Sequence, residues 1–469
     1  MSAVSSGRRA AAVLATAAWL AGCASVAPNA PLRHYDPAYG YRVSATSGDA
    51  DDSRELLLLL SFSGGGMRAA AFAYGVLKAL ADARVRFDGR ERALVDEIDL
   101  ITSVSGGSFP AAYFALRGRR IFDDFEDGFL RRDVQGALIR RALAPWNWPR
   151  LASRTFGRSD LAAEYYDGLL FEGATLGDLL RGDGPALLVN ATDMTLATRF
   201  VFDQEQFDLL CSDATDFPIA RAVAASSAVP VLLSPVTLRN YAARDCGYEP
   251  PAWVGEEIER GYSPTRRHEE ARRIHEYRSG GSEAYVHLLD GALADNLGLR
   301  ISIERTVTAG GYARLTEQAG FTRFRRVAYL VVNAQTESRR DWIGSPEPPG
   351  TLETLVSAST VTLNRYNFET LELFRRGLEQ DLADLREARC RPSGGSPAAA
   401  DCGDVAAHVI EVSFARHPDP EERAYLSTLP TALRLSAPEV ERTVAAPQRI
   451  LDASPEFEAL LADLAEPSP

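Results

Sequence analysis

Five consecutive leucines, Leu56 to Leu60, lead through Ser61-Phe62-Ser63 into three glycines and then an alanine-rich stretch, to Leu80, that is apolar on every side. A continuous apolar run of this length predicts a strand buried on both faces, and the segment after the glycines predicts a buried helix. The pattern returns at Ile98–Val104, a strand, followed by Ser105-Gly106-Gly107 and a helix over Ser108–Leu116. Further strands are predicted at Ala186–Ala191, Phe200–Phe202, Ala284–Leu289, Phe324–Asn333 and His408–Phe414. The segment FPIARAVAASSAVPVLLSPV reads as a helix ending in an Ala/Ser/Pro bend, Leu352–Glu387 has helical period, and more helices run to the C-terminus. Strands alternating with helices predict an α/β/α layered domain whose site is built by loops at the carboxyl ends of strands.

Two stretches resist this pattern. Phe122–Phe171 is mixed and charged, and its PWNWP motif at Pro145–Pro149 reads as partly buried loop aromatics, the alternative being an apolar lip that touches lipid. Residues 255–280 form a charge run read as a solvated helix or insertion, in which His268 and His275 lack the spacing of a zinc-binding HExxH helix.

The chain has 469 residues, 46% of them hydrophobic, which is ample for a large core. A formal net charge of -13 argues against binding to nucleic acid, and against bulk attraction to an anionic lipid surface. No cofactor and no metal is implied. Among the cysteines, proximity pairs Cys211 with Cys246 and Cys390 with Cys402, four free thiols being the alternative.

Gly64, Gly65 and Gly66 open a helix, so their amides face outward from its positive end and suit a negative charge. A phosphate-cradling P-loop is excluded, because Lys78, the only lysine, does not follow the last glycine. A dinucleotide fingerprint is formally met by Gly64, Gly66 and Ala69, with Asp88 as the ribose partner. The third alternative is an oxyanion hole, with Arg68 lending positive charge.

Ser103-Val104-Ser105-Gly106-Gly107 has the form of a nucleophile elbow, in which small residues flank a serine on a sharp strand-to-helix turn. Asp290-Gly291 ends another strand and supplies a carboxylate. A Ser/Asp/His triad on an α/β-hydrolase is the rival arrangement, since Ser105 and Asp290 precede His408 and His417 in the right order, and His287 is also at hand.

At the N-terminus, Arg8 and Arg9, an apolar run from Ala10 to Leu20 and Leu20-Ala21-Gly22-Cys23 resemble a bacterial lipoprotein signal. The resemblance implies removal of residues 1–22, lipidation of Cys23, a flexible tether over 23–52 and a folded domain over 53–467. Ala24 after the cysteine implies sorting to the outer membrane.

The ordered set SFSGGGMRA, SVSGG, ASSAVP and DGALADN resembles the patatin-like phospholipase family. That resemblance implies a three-layer α/β/α domain with a central, mostly parallel sheet, Ser105 as nucleophile, Asp290 as its only side-chain partner, and Gly64, Gly65, Gly66 and Arg68 as the oxyanion site. It implies a lipid acyl hydrolase acting on phospholipid, lysophospholipid or neutral acyl esters. Two positions depart from the family pattern: Ser103 replaces the first elbow glycine, and Ala292 stands where many members have a second glycine. A non-enzymatic envelope lipoprotein that binds lipid is the remaining alternative.

Overall fold

The computed structural model describes residues 29–46, 55–87, 90–230, 232–279, 284–322, 324–336, 346, 350–391 and 402–465. The signal-like segment, Cys23 and Asp88 lie outside them. Among the described residues, eight strands make the central sheet: β1 (Leu56–Phe62), β2 (Ile98–Val104), β3 (Ala186–Asp193), β4 (Thr198–Val201), β5 (Val236–Arg239), β6 (Tyr285–Asp290), β7 (Arg326–Asn333) and β8 (Ala406–Ser413). Their order is β8-β7-β1-β2-β3-β6-β5, with β4 paired to β3 off that path. The run from β8 to β3 is parallel, whereas β6 is antiparallel to β3 and β5, and β4 to β3.

The helices used below are α1 (Gly66–Asp82), α2 (Ser108–Arg117), α3 (Val134–Leu143), α4 (Arg158–Tyr166), α5 (Ile219–Ser226), α6 (Thr351–Cys390), α7 (Ala437–Asp452) and α8 (Pro455–Ala465). The leucine run is uninterrupted because β1 is central and covered on both sides. Leu56, Leu58, Leu60 and Phe62 join the apolar cluster that includes residues of α1, α2 and α7, and Leu57 and Leu59 join a second cluster with Phe374, Leu378, Leu382 and Leu385 of α6. Helices thus lie on both faces, giving three layers in the α/β/α order.

Residues 29–46 correct the expectation of a tether reaching to residue 52. Ala30–Pro31 pairs with Ser212–Asp213, and Asn29 bonds to Ser212 Oγ and to the backbone of Arg239. Tyr41 is buried and donates to the Leu187 carbonyl, and Arg42 makes a buried 2.6 Å ion pair with Asp208. The segment is a strap that packs residue by residue, so it has no period for a sequence to display. The Cys211–Cys246 disulfide lies under it, the carbonyls of both cysteines accepting from Leu32 and Tyr35. A second disulfide, Cys390–Cys402, joins the end of α6 to the approach to β8.

Other differences follow the same logic. Strand β5 is four residues long, too short for alternation to register, and α3 and α4 arise in the stretch that showed no period. The charge run contains a helix, Arg266–Arg278, which is not merely solvated: His268, Glu270, Ala271, Ile274 and Tyr277 are buried, and Tyr277 bonds to Asp193.

Candidate active site

Strand β1 ends at Phe62, and Ser63, Gly64 and Gly65 turn the chain into α1. Gly65 and Gly66 have φ of 144° and 63°, a region that L side chains rarely adopt. Their N–H groups have no protein acceptor among the described hydrogen bonds, and Gly65 is the more exposed residue. The other members of the expected oxyanion set are differently engaged. Gly64 N–H donates to the Asn296 carbonyl at 3.1 Å. Arg68 is buried and bonds to the carbonyls of Ala334 and Leu429 and to Thr431 Oγ1. Burial lowers its pKa to about 10, yet it stays cationic at neutral pH. Its guanidinium therefore fastens the glycine loop to two other segments.

Strand β2 delivers Ser105, the only residue of its turn in left-handed backbone, at φ 49°. Holding a side chain there costs on the order of 1–2 kcal/mol. The strain is maintained by packing of backbone on backbone, since a Cβ on Gly106 would lie 2.0 Å from the Gly66 carbonyl oxygen. The elbow and the glycine loop are thereby in direct contact. Gly106→Ala is expected to destabilise the fold by roughly 3 kcal/mol or more, because neither backbone can retreat, and chemical denaturation measures it.

Strand β6 brings Asp290 from the opposite direction. It runs antiparallel to β3, so its carboxyl end reaches Asp290 opposite Ala191, close to the level at which Val104 pairs with Asn190. There Asp290 Oδ2 accepts from Ser105 Oγ at 2.8 Å, while Oδ1 accepts from the Ala292 N–H at 2.9 Å. Ser105 and Asp290 are both buried. Burial pushes the Asp290 carboxyl up to about 6, and the hydrogen bonds from Ala292 and Ser105 offset only part of that rise.

Two residues not assigned a role from sequence hold this pair in register. Ser226, at the end of α5, accepts from the Ser105 N–H at 2.8 Å and donates to the Asn190 carbonyl at 2.6 Å, and its own carbonyl accepts from Gly291. Asn190 in turn donates to Thr102 Oγ1 and the Ser103 carbonyl. Ser226 lay within the ASSAVP motif, and Asn190 was detectable only as a polar side chain inside a strand that reads as apolar. Ser103, the departure from the elbow pattern, is buried, and its Oγ has no hydrogen-bond partner among the described residues.

No hydrogen bond joins any histidine to Ser105 or Asp290 among the described residues. His287 bonds to Thr237, His408 to Asp463, and His417 to the backbone of Asp419. Ser105 and Asp290 thus meet as a pair.

Similar solved structures include human GIVD cytosolic phospholipase A2, at 14% identity and a TM-score of 0.40, with 90% of this chain and 62% of that one covered. The same human enzyme in complex with methyl gamma-linolenyl fluorophosphonate gives 13% identity and a TM-score of 0.42 over the same shares of the two chains. VipD from Legionella pneumophila gives 12% identity and 0.28, with 87% of this chain and 67% of that one covered. The present chain therefore spans less than two thirds of the human enzyme. Among curated proteins no sequence match was found. The model of one family, patatin-like phospholipase, matches residues 60–303, more than half of the sequence and a range that holds the glycine loop, Ser105, Ser226 and Asp290. This chain belongs to the patatin-like phospholipase family.

Proposed function

We propose that the protein hydrolyses carboxylic esters of acyl lipids through a Ser105–Asp290 dyad. The observation that carries this reading is the 2.8 Å hydrogen bond from Ser105 Oγ to the buried Asp290 carboxylate, beside a helix start whose Gly65 and Gly66 amides have no acceptor among the described residues. Ser105 Oγ attacks the ester carbonyl as its proton passes to Asp290 Oδ2. The oxyanion of the tetrahedral intermediate faces the N–H groups of Gly65 and Gly66. Collapse expels the alcohol, which takes the proton from Asp290 and leaves an acyl-serine. Water then attacks the acyl group, Asp290 accepts its proton, and the fatty acid departs as that proton returns to Ser105. A carboxylate of ordinary basicity is a poor base for serine, and the burial that raises Asp290 to about 6 narrows the gap.

We propose further that the protein is exported and anchored through a lipidated Cys23 to a bacterial envelope, at the outer membrane. Two disulfides, rare in reducing compartments, support an oxidising one. Intact mass of protein recovered from its own membrane, before and after a fluorophosphonate probe, tests both proposals. The expected chain starts at a triacylated Cys23 and gains one adduct on Ser105. An adduct on another residue, or none, overturns the dyad, and a start elsewhere overturns the anchor.

A further inference from the structure

The PWNWP motif is not partly buried as expected from sequence. Asn147 is the buried residue, its side-chain amide donating to the Arg141 carbonyl at the end of α3, and this anchor turns both neighbours outward. Trp146 is 77% exposed and Trp148 57%. Ile139 and Leu143, one helical turn apart on α3, are exposed by 51% and 67%. Four large apolar side chains so close in sequence, each left in water, call for a partner.

Local charge indicates which one. Residues 134–159 contain five arginines and no carboxylate, in a chain whose net charge is -13. Arg150 is paired with Glu164, and Arg140 lies 3.8 Å from Asp133. Arg154 and Arg158 are exposed and have no carboxylate partner among the described residues. Tryptophans in a turn beside a short helix that bears exposed apolar residues and arginines have the composition of a surface that sits at the lipid headgroup level, and the arginines favour anionic headgroups.

The same element is bolted to the active site. Gln135 N–H donates to the Leu433 carbonyl, and Leu433 N–H returns to Gln135 Oε1. The adjoining Ala432 carbonyl accepts from Met67, and Leu429 and Thr431 accept from Arg68. On its other side α3 packs on α4, which packs on α5 and is tied to it by a 2.7 Å Asp160–Arg221 ion pair. Helix α5 ends in Ser226, which holds the Ser105 amide.

We propose that the outward face of α3 and the PWNWP turn docks on an anionic phospholipid bilayer and orients the Ser105 site toward it. The inference rests on the lipid-hydrolase reading and specifies the surface on which that site works. The acyl anchor keeps the protein near a membrane, and this face sets its orientation.

The test uses the full chain with Cys23→Ser, so that no acyl anchor contributes, and flotation with vesicles of phosphatidylcholine with or without phosphatidylglycerol. Binding is expected to favour the anionic vesicles and to weaken with salt. Trp146→Ser/Trp148→Ser, and separately Arg140→Glu/Arg154→Glu, are expected to lower it by about tenfold. Hydrolysis of vesicle-borne phospholipid should fall in parallel, while turnover of a soluble short-chain ester stays unchanged. Variants that float like the parent, equal binding to both vesicles, or a self-association that the tryptophan variant abolishes in the absence of vesicle binding would each overturn the proposal. Flotation without turnover of any ester by the parent would sink the hydrolase reading and leave the docking face standing.

Discussion

Alanine in place of Ser105 is expected to lower kcat on every acyl ester by on the order of 10⁵-fold, with little change in KM. The nucleophile is removed while the amides of Gly65 and Gly66 remain, so a small residual rate above that of water should persist. The substitution also withdraws the hydrogen bond that Asp290 Oδ2 receives in a buried setting, at a cost of about 1–3 kcal/mol in stability. Loss of that donor raises the Asp290 pKa further, since the bond from Ser105 is one of the two influences that lower it. Steady-state kinetics on a panel of acyl esters and lysophospholipids, with thermal unfolding alongside, checks both effects. Undiminished turnover would move the nucleophile elsewhere.

Asp290→Asn should lower kcat by on the order of 10³–10⁵-fold and yet make the protein more stable at neutral pH. The sign follows from the pKa. Burial holds the folded-state carboxyl at about 6, above an ordinary value near 3.8. Between about pH 4 and pH 6 the unfolded chain has released a proton that the folded chain retains, so the stability contributed by this group falls as pH rises through that window. Above it the native state carries a buried carboxylate that disfavours folding by roughly 3 kcal/mol, an amount that an amide of the same shape avoids. Unfolding of parent and variant on either side of the window measures the difference, which should be large at neutral pH and small below about pH 4. The parent's kcat/KM should rise with pH through about 6 as Asp290 ionises, then level off. A variant that loses stability at neutral pH would show that desolvation is not the dominant influence on Asp290.

Stability and chemistry are opposed at this pair. Ser105 is held in left-handed backbone and Asp290 is held away from water. Both costs are borne by the surrounding contacts, of Gly106 on Gly66 and of Ser226 with Ser105, Asn190 and Gly291. The contacts that store the strain are also the ones that fix the geometry.

Much of this was readable from the sequence, for a definite reason. A strand buried on both faces must be continuously apolar, so β1 and β3 announced themselves, and the sharp turn at Ser105 tolerates only small neighbours, so the elbow carried its own pattern. The long helix α6 was legible because length lets a period accumulate. Features built from single contacts left no such mark. Residues 29–46 are a strap, β5 is too short to show alternation, and Arg68 binds carbonyls some 266 and 361 residues away in the chain.

The sequence by itself determined the apolar skeleton, the glycine loop, the serine elbow and the Asp-Gly strand end, because each is a local pattern imposed by burial or by turn sterics. Only the tertiary structure decided that β6 runs against β3 and so brings Asp290 to Ser105, that the Gly64 and Arg68 donors have acceptors while the Gly65 and Gly66 amides have none among the described residues, and that Trp146 and Trp148 face water. Strand direction, the acceptor that meets a given amide and the side of a turn left uncovered are set by contacts between distant segments, and those arise only when the whole chain has packed.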